Sequence, residues 1–256
     1  MREFISYISY KFKLLRFILS RPDKKKDNGD VSNLRKKGII IISEYQNYCN
    51  ELNKIQNVIS KLEVNKIIAN KNTHRKETDD NRAKQKREFK IKITNLFEKE
   101  LLLSYSKNQY INKLVTQYFG FEPIIRNISV WIDIPNNNTK DEVATQIFHR
   151  DFDDVKLLKT FLYLNDVNSL NGPFEYIQTS HLEPWKNNKH RENKSIANIF
   201  GGENLKSVTG KKNTLIIADT NGFHHGKKLS EGHRLLLTVS YSSKNPSVKI
   251  PNEIFD

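Results

Sequence analysis

Two short stretches far apart in the sequence set the strongest demand on how this chain folds. Phe148-His149-Arg150-Asp151 places an imidazole and a carboxylate two positions apart. Gly222-Phe223-His224-His225-Gly226 adds a further imidazole, and Arg234 follows ten positions after His224. In an extended strand residues i and i+2 point to the same side, so His149 and Asp151 can aim at one point while Arg150 turns away. Each stretch adjoins strand-like sequence. Ala144–Phe148 is short and mostly apolar or β-branched, and Lys156–Leu164 (KLLKTFLYL) is aromatic and aliphatic. Thr214–Ala218 (TLIIA) is a continuous apolar run closed by Asp219-Thr220-Asn221-Gly222, which is turn chemistry, and Arg234–Tyr241 (RLLLTVSY) reads as another buried strand. Each candidate ligand therefore sits beside a rigid strand, where a metal site can be pre-organised.

Two imidazoles and one carboxylate on one face of a metal leave three positions open, the ligand set that holds non-haem Fe(II) for oxygen chemistry. A cation beyond the last ligand suits an acidic co-substrate that chelates the metal and anchors its far end. An H-x-D motif alone is common, and a His-Asp pair is often a surface hydrogen bond. A strand, a turn, His, Gly and then Arg at the start of the next strand is a much rarer succession, and the two halves together point to a metal site.

The segment Gln146–His181 (QIFHRDFDDVKLLKTFLYLNDVNSLNGPFEYIQTSH), taken with Gly210–Tyr241 (GKKNTLIIADTNGFHHGKKLSEGHRLLLTVSY), resembles the phytanoyl-CoA dioxygenase family. Its members are Fe(II)- and 2-oxoglutarate-dependent oxygenases built on a double-stranded β-helix. Three motifs match in order: H-x-D, then Y-L-x-D-V with N-G-P and S-H, then D-T-x-G-x-H-x-G followed by Arg. A weaker match reaches back to Asn33–Ile42. The resemblance implies a mainly β protein with N-terminal helices (α+β) and a jelly-roll, cupin-like core over about 121–245. It implies His149, Asp151 and His224 as iron ligands, Arg234 as the holder of the distal carboxylate of 2-oxoglutarate, and O2 as the second co-substrate. The family's pattern puts the ligand two residues before the glycine, which selects His224. His225 then points the other way, to solvent or to the substrate mouth. His181 sits where the family has a Ser-His pair that is not a ligand, and its reading is a hydrogen bond that orders its loop. Related halogenases lack the carboxylate ligand, so Asp151 favours hydroxylation of substrate with release of succinate and CO2.

Three more residues are candidates. With a period of two, Lys159, Phe161 and Tyr163 share one face of their strand, and Thr160, Leu162 and Leu164 the other. A lysine among apolar neighbours is costly to bury unpaired. If that face is the barrel interior, Lys159 is a candidate for binding 2-oxoglutarate or an anionic substrate; otherwise it is a strand-end lysine that snorkels to solvent. Gln146, three residues before His149, is a candidate contact to co-substrate or substrate. Asp219 reads as a turn-forming aspartate.

The 256 residues suit one oxygenase domain over 38–256, preceded by a basic helix and linker over 1–37. Hydrophobic residues make up 37%, which is low, but they concentrate in the candidate strands as a folded core requires. The sequence reads as helical over 1–20, as linker over 21–37, and as mixed and mainly helical over 38–120. Eight strand candidates follow, at 124–134, 144–150, 157–165, 173–178, 206–209, 213–218, 223–227 and 234–242, the number that a double-stranded β-helix needs. The long polar stretch 179–205, with Trp185, is expected to form part of a lid or substrate mouth. The single cysteine, Cys49, permits no internal disulfide and fits a reducing, cytoplasmic compartment.

The charge of +14 is uneven: residues 1–37 hold eleven Lys and Arg against four Asp and Glu, and residues 71–92 hold nine against four. In residues 1–20, Ser6, Ser9, Lys13, Arg16 and Ser20 fall on one helical face and Phe4, Ile5, Ile8, Phe12, Leu15 and Leu19 on the rest. Its basic residues break any long apolar run, which argues against a transmembrane span or a signal peptide. Peripheral contact with an anionic membrane and packing on the outside of the barrel both fit this helix. The run 71–92 has no aromatic interleaving apart from Phe89, which argues against nucleic acid as a partner, and a solvated helix or loop is its plainer reading. A small-molecule substrate, anionic or linked to lipid or glycan, fits the basic surface. The alternatives are a hydroxylase of nucleic acid or protein, and a non-catalytic β-helix binding module, against which intact His149, Asp151, His224 and Arg234 argue.

Overall fold

The computed structural model of the protein describes residues 29–61, 88–91, 95–135, 142, 144–183, 193–244 and 254–255. The amphipathic segment 1–20, the linker reading over 21–28, the basic run up to residue 87 and Trp185 lie outside the described residues. Among the described residues nine strands form two antiparallel sheets. The larger runs β1 (Ile39–Ile42), β7 (Leu215–Asp219), β4 (Leu158–Tyr163), β9 (Arg234–Ser242), β3 (Ile124–Asp133), β2 (Glu88–Ile91); the smaller runs β6 (Leu205–Val208), β5 (Phe174–Ile177), β8 (His224–Gly226). An isolated bridge, His149 to His224, adds one residue of pairing beyond β8. From β3 onward the chain passes between the sheets repeatedly, which is the double-stranded β-helix with two packed layers.

Alternation along the strands sorts the side chains. On β4, Leu158 and Leu162 belong to an outer core shared with the helices, whereas Phe161 and Tyr163 belong to an inner core between the sheets. Likewise Leu215 and Ile217 of β7 face out to the helices, and Ile216 and Ala218 face in. The outer core is closed by α1 (Gly29–Lys37), α2 (Leu52–Lys61), α3 (Leu96–Ser106) and α4 (Gln109–Phe119). Leu52, Ile55 and Ile59 recur at helical spacing on α2 and are buried, as are Ile111, Leu114, Val115 and Tyr118 on α4. Asn108 caps α4, its side chain accepting from Tyr110 N at 3.0 Å.

Three expectations are corrected. Residues 29–37 are helix rather than linker, because Val31 and Leu34 bury a one-turn-spaced apolar pair in the outer core. The stretch 144–150 is not a strand: a 3-10 turn covers Ala144–Gln146, and pairing begins only at His149. The end of the basic run is the edge strand β2, where Phe89 lies opposite Ile132 of β3. Within the polar stretch 179–205 lies α5 (Asn193–Phe200), whose Ile196 is buried with Phe148, Ile177 and Phe223. That places α5 against the residues that precede both candidate histidine ligands. Among the described residues no helix is long and apolar enough to cross a membrane.

One buried ionic group joins the helical layer to the turn before His224. Asp219 accepts from Tyr118 of α4 and from Lys156 Nζ at 3.2 Å through Oδ2, and from Asn221 N at 3.1 Å through Oδ1. The turn-forming reading of Asp219 therefore holds, with an ion pair added. Burial alone would raise its carboxyl pKa, but Lys156 and other nearby partners hold it below the usual carboxylate range. A depressed folded-state pKa stabilises the fold above the ordinary aspartate value of about 3.9 and ceases to as pH falls through the folded value. Asp219→Asn is thus expected to melt below wild type at pH 7, with the gap closing below about pH 4. A gap independent of pH in parallel melts would contradict this.

Candidate metal centre

The first two ligand candidates converge through one backbone pair. His149 N donates to His224 O and His224 N to His149 O, both at 3.0 Å. Residues facing each other across such an antiparallel pair project to the same face. The two imidazoles accordingly lie with ring centroids 4.4 Å apart. Asp151, two residues on, returns to that face, and its Oδ2 lies 3.7 Å from His224 Nε2. One ligand atom from each of His149, Asp151 and His224 lies within 4.8 Å of the others. Arg150 turns away as expected: its Nη2 donates to Ser180 O at 2.6 Å and its guanidinium lies over the Phe223 ring.

The protonation pattern fits a divalent metal. His149 Nδ1 lies 2.9 Å from Ile147 O, and His224 Nδ1 lies 2.9 Å from Gly222 O. A carbonyl accepts only, so each Nδ1 carries the proton and each Nε2 presents its lone pair to the centre. Burial pushes the His224 pKa down to about 3, with His149 acting in the same direction, which keeps the ring neutral at pH 7. For Asp151, burial would raise the pKa, but the Lys159 ammonium, then the imidazoles of His224 and His149, hold it well below the usual carboxylate range. Asp151 Oδ2 is buried against Lys159 Nζ at 2.8 Å and His224 Nε2 at 3.7 Å. Two imidazoles and a carboxylate converging on one inner face form a donor set suited to Fe(II).

Lys159 is therefore on the inner face of β4, beside the ligands, and the snorkelling alternative is set aside. Phe161 and Phe174 follow, with ring centroids 4.5 Å apart, and Phe174 stacks on His224 at 5.8 Å. Beyond them stands Arg234 at the start of β9. Its Nε and Nη2 donate to Asp133 Oδ2 at 2.9 and 2.5 Å, and its Nη1 donates to Gly172 O. A Cβ on Gly226 would fall against Nη2 and within 2.9 Å of Nη1, so the guanidinium rests where only glycine leaves room. Gly226 is two residues past His224, roughly 7 Å along the strand. The cation and the ligands thus share one inner face, separated by about the span of a five-carbon diacid.

Gln146 ends the 3-10 turn, half-buried, and its carbonyl oxygen lies 2.6 Å from His225 Nδ1. His225 faces neither solvent nor the inner cleft. It is buried on the outer face of the small sheet, 4.0 Å from the Phe148 ring and 2.9 Å from Glu175 Oε2. Strand alternation explains this: the neighbour of an inward ligand points outward, and α5 and the 3-10 turn cover that side. His181 takes its structural role, Nε2 lying 3.0 Å from Arg35 O at the end of α1. Sequence reasoning did not single out Asp133. Its signal was present, a charge at an inward position of the strand opposite Arg234, but it needed the β3–β9 register.

No family model matches the sequence, and no curated protein matches it. Solved structures do match in fold. HygX from Streptomyces hygroscopicus, with nickel and 2-oxoglutarate bound, gives a TM-score of 0.57 at 13% identity, over 85% of this chain and 87% of that one. EctD from S. alaskensis, with bound Fe, gives 0.58 at 14% identity over 90% and 81%. The epimerase SnoN, in complex with Fe3+, alpha ketoglutarate and nogalamycin RO, gives 0.58 at 13% identity over 88% and 86%. At these identities the likeness is one of fold.

Proposed function

We propose that the chain is an Fe(II)- and 2-oxoglutarate-dependent oxygenase that hydroxylates a small molecule. The observation that carries the reading is the convergence of two Nδ1-protonated imidazoles and the Asp151 carboxylate on one inner face. His149, Asp151 and His224 hold the metal, and Arg234 receives the distal carboxylate of the co-substrate across Gly226. Iron bound there would supply oxidative decarboxylation of 2-oxoglutarate by O2 to succinate and CO2, coupled to insertion of one oxygen atom into a substrate C–H bond. The protein's own work is positional. The carbonyls of Ile147 and Gly222 fix the imidazole tautomers, Asp133 and Gly172 aim Arg234, and Phe161 and Phe174 line the cleft with apolar surface. A ligand carboxylate retained at Asp151 favours hydroxylation over halogenation. The bound groups of HygX and SnoN support this reading of a shared fold.

Lys159 supports an anionic substrate. Its ammonium neutralises Asp151, and a metal that takes the Asp151 carboxylate would leave it facing the cleft. Lys159→Met is expected to raise KM for an anionic substrate by about 10-fold or more, the worth of one charge-assisted hydrogen bond, and to leave a neutral analogue little changed. An equal effect on both would remove the anionic assignment.

The test of the reading is anaerobic titration of the apo protein with Fe(II) and then 2-oxoglutarate, followed by visible absorption of the chelate. A band that needs both additions supports it and opens a substrate screen by succinate release. Absence of the band, with no Fe(II) binding, would bring forward a non-catalytic β-helix binding module.

A further inference from the structure

A 3-10 turn and a single bridge stand where a strand was expected over 144–150, so pairing along a sheet does not by itself set the first ligand stretch. His149 pairs reciprocally with His224, and Asp151 N donates to Thr220 O at 2.8 Å. Ligands in a working metal site need placement to within about 0.5 Å, by packing and hydrogen bonds around them. Two side chains from the second motif contribute to it. Asn221 Nδ2 donates to Asp151 O at 3.2 Å and to Asp154 O at 3.0 Å, and Asn221 Oδ1 accepts from Leu157 N at 3.1 Å. The carboxamide thus meets the loop after the ligand at three points, and its own backbone N is fixed by Asp219 Oδ1. On the other side, His225 Nδ1 binds Gln146 O at 2.6 Å, its ring packs on Phe148, and Glu175 holds its Nε2.

We propose that Asn221 and His225 are positioning residues that clamp the 146–154 ligand stretch onto the strand of His224, one on each side of the centre. The inference rests on the metal reading above. It gives the tandem histidine a purpose: the first is a ligand and the second holds the segment that carries the other imidazole. It also explains why an asparagine stands in the turn. Aspartate at 221 keeps the acceptor for Leu157 N but loses both donors, and alanine loses all three bonds. The loop does not depend on Asn221 to stay folded, because Asp154 Oδ2 also accepts from Ser243 N at 2.8 Å and Ser243 Oγ at 2.6 Å.

The experiment compares wild type with Asn221→Ala, Asn221→Asp, and His225→Phe made in a Glu175→Gln background. The last keeps a ring on Phe148 and leaves no unpaired buried carboxylate. Co(II) or Fe(II) is titrated anaerobically by calorimetry, and each apo protein is melted. Metal affinity is expected to fall about 10- to 100-fold in each variant, the usual cost of losing a partner that orients a ligand. The comparison variant is Asn108→Ala, which removes the α4 cap on the far side of the helical layer. It is expected to lower the melting temperature by several degrees with metal affinity unchanged. Wild-type metal affinity in the folded Asn221 variants overturns the clamp while leaving the metal site standing. Failure of wild type itself to bind metal removes the site and the clamp together, and that failure is visible in the wild-type trace alone.

Discussion

Asp151→Ala is expected to lower Fe(II) affinity by far more than 100-fold and to abolish the 2-oxoglutarate-dependent band. Two effects add. The carboxylate is one of three donors, and even an outer partner of a ligand is worth about 10- to 100-fold. It is also the counter-charge of Lys159, whose Nζ lies 2.8 Å from Asp151 Oδ2. Without it, a largely buried ammonium faces the position that a dication must occupy. Like charges about 4 Å apart at an effective dielectric near 20 repel by about 4 kcal/mol per unit pair. The two effects separate in Asp151→Ala/Lys159→Met, which removes the repulsion and leaves the donor missing. The double variant is expected to recover part of the affinity and none of the turnover. If Asp151→Ala instead bound Fe(II) as wild type does, the Lys159–Asp151 contact would be an ordinary ion pair, and the ligand assignment would be lost.

The fold and the heart of the site were legible because they rest on short-range periodicities. The apolar runs at 157–165, 213–218 and 234–242 became β4, β7 and β9, since a strand buried on both faces must be apolar throughout. The facing of Lys159, Phe161 and Tyr163 followed from the period of two, and the cores confirm it for Phe161 and Tyr163. What sequence could not say is which strands lie opposite each other. The Asp133–Arg234 pair is set by β3–β9 register, and the Tyr118–Asp219 contact by how α4 docks on β7. Both span about a hundred residues, and no local pattern encodes them.

The misreadings have the same origin. Residues 144–150 have strand-forming composition, yet the small sheet accepts only His149 from them, because the 3-10 turn folds back over His225. The outward face of a barrel strand is usually wet, which is why the sequence points His225 to solvent or to the mouth. Here Phe148 and Glu175 cover it. The helix at 29–37 was hidden in a basic, polar stretch with only Val31 and Leu34 to bury, too short a stripe to stand out. In each case tertiary contact decided what local propensity left open.

Arg234→Ala is expected to lower stability and co-substrate affinity together, so the single variant cannot by itself assign the residue. Asp133, buried, would lose two N–H donors from the guanidinium, at a cost of roughly 1–3 kcal/mol or more. Replacing both partners by apolar residues of similar volume is often neutral. Arg234→Met/Asp133→Leu is therefore expected to melt near wild type and still to bind 2-oxoglutarate at least 10-fold more weakly, the loss of a charge-assisted hydrogen bond of about 1.5–3 kcal/mol. Gly226→Ala approaches the same question from the other side. Its methyl group would displace the guanidinium without removing the charge, raising KM for 2-oxoglutarate with Fe(II) affinity nearly unchanged. Wild-type 2-oxoglutarate binding by the double variant would make Arg234 a structural partner of Asp133 and move the anchor for the distal carboxylate to Lys159, a second cation on the inner face. The pair of measurements thus decides whether the co-substrate uses Arg234 or Lys159.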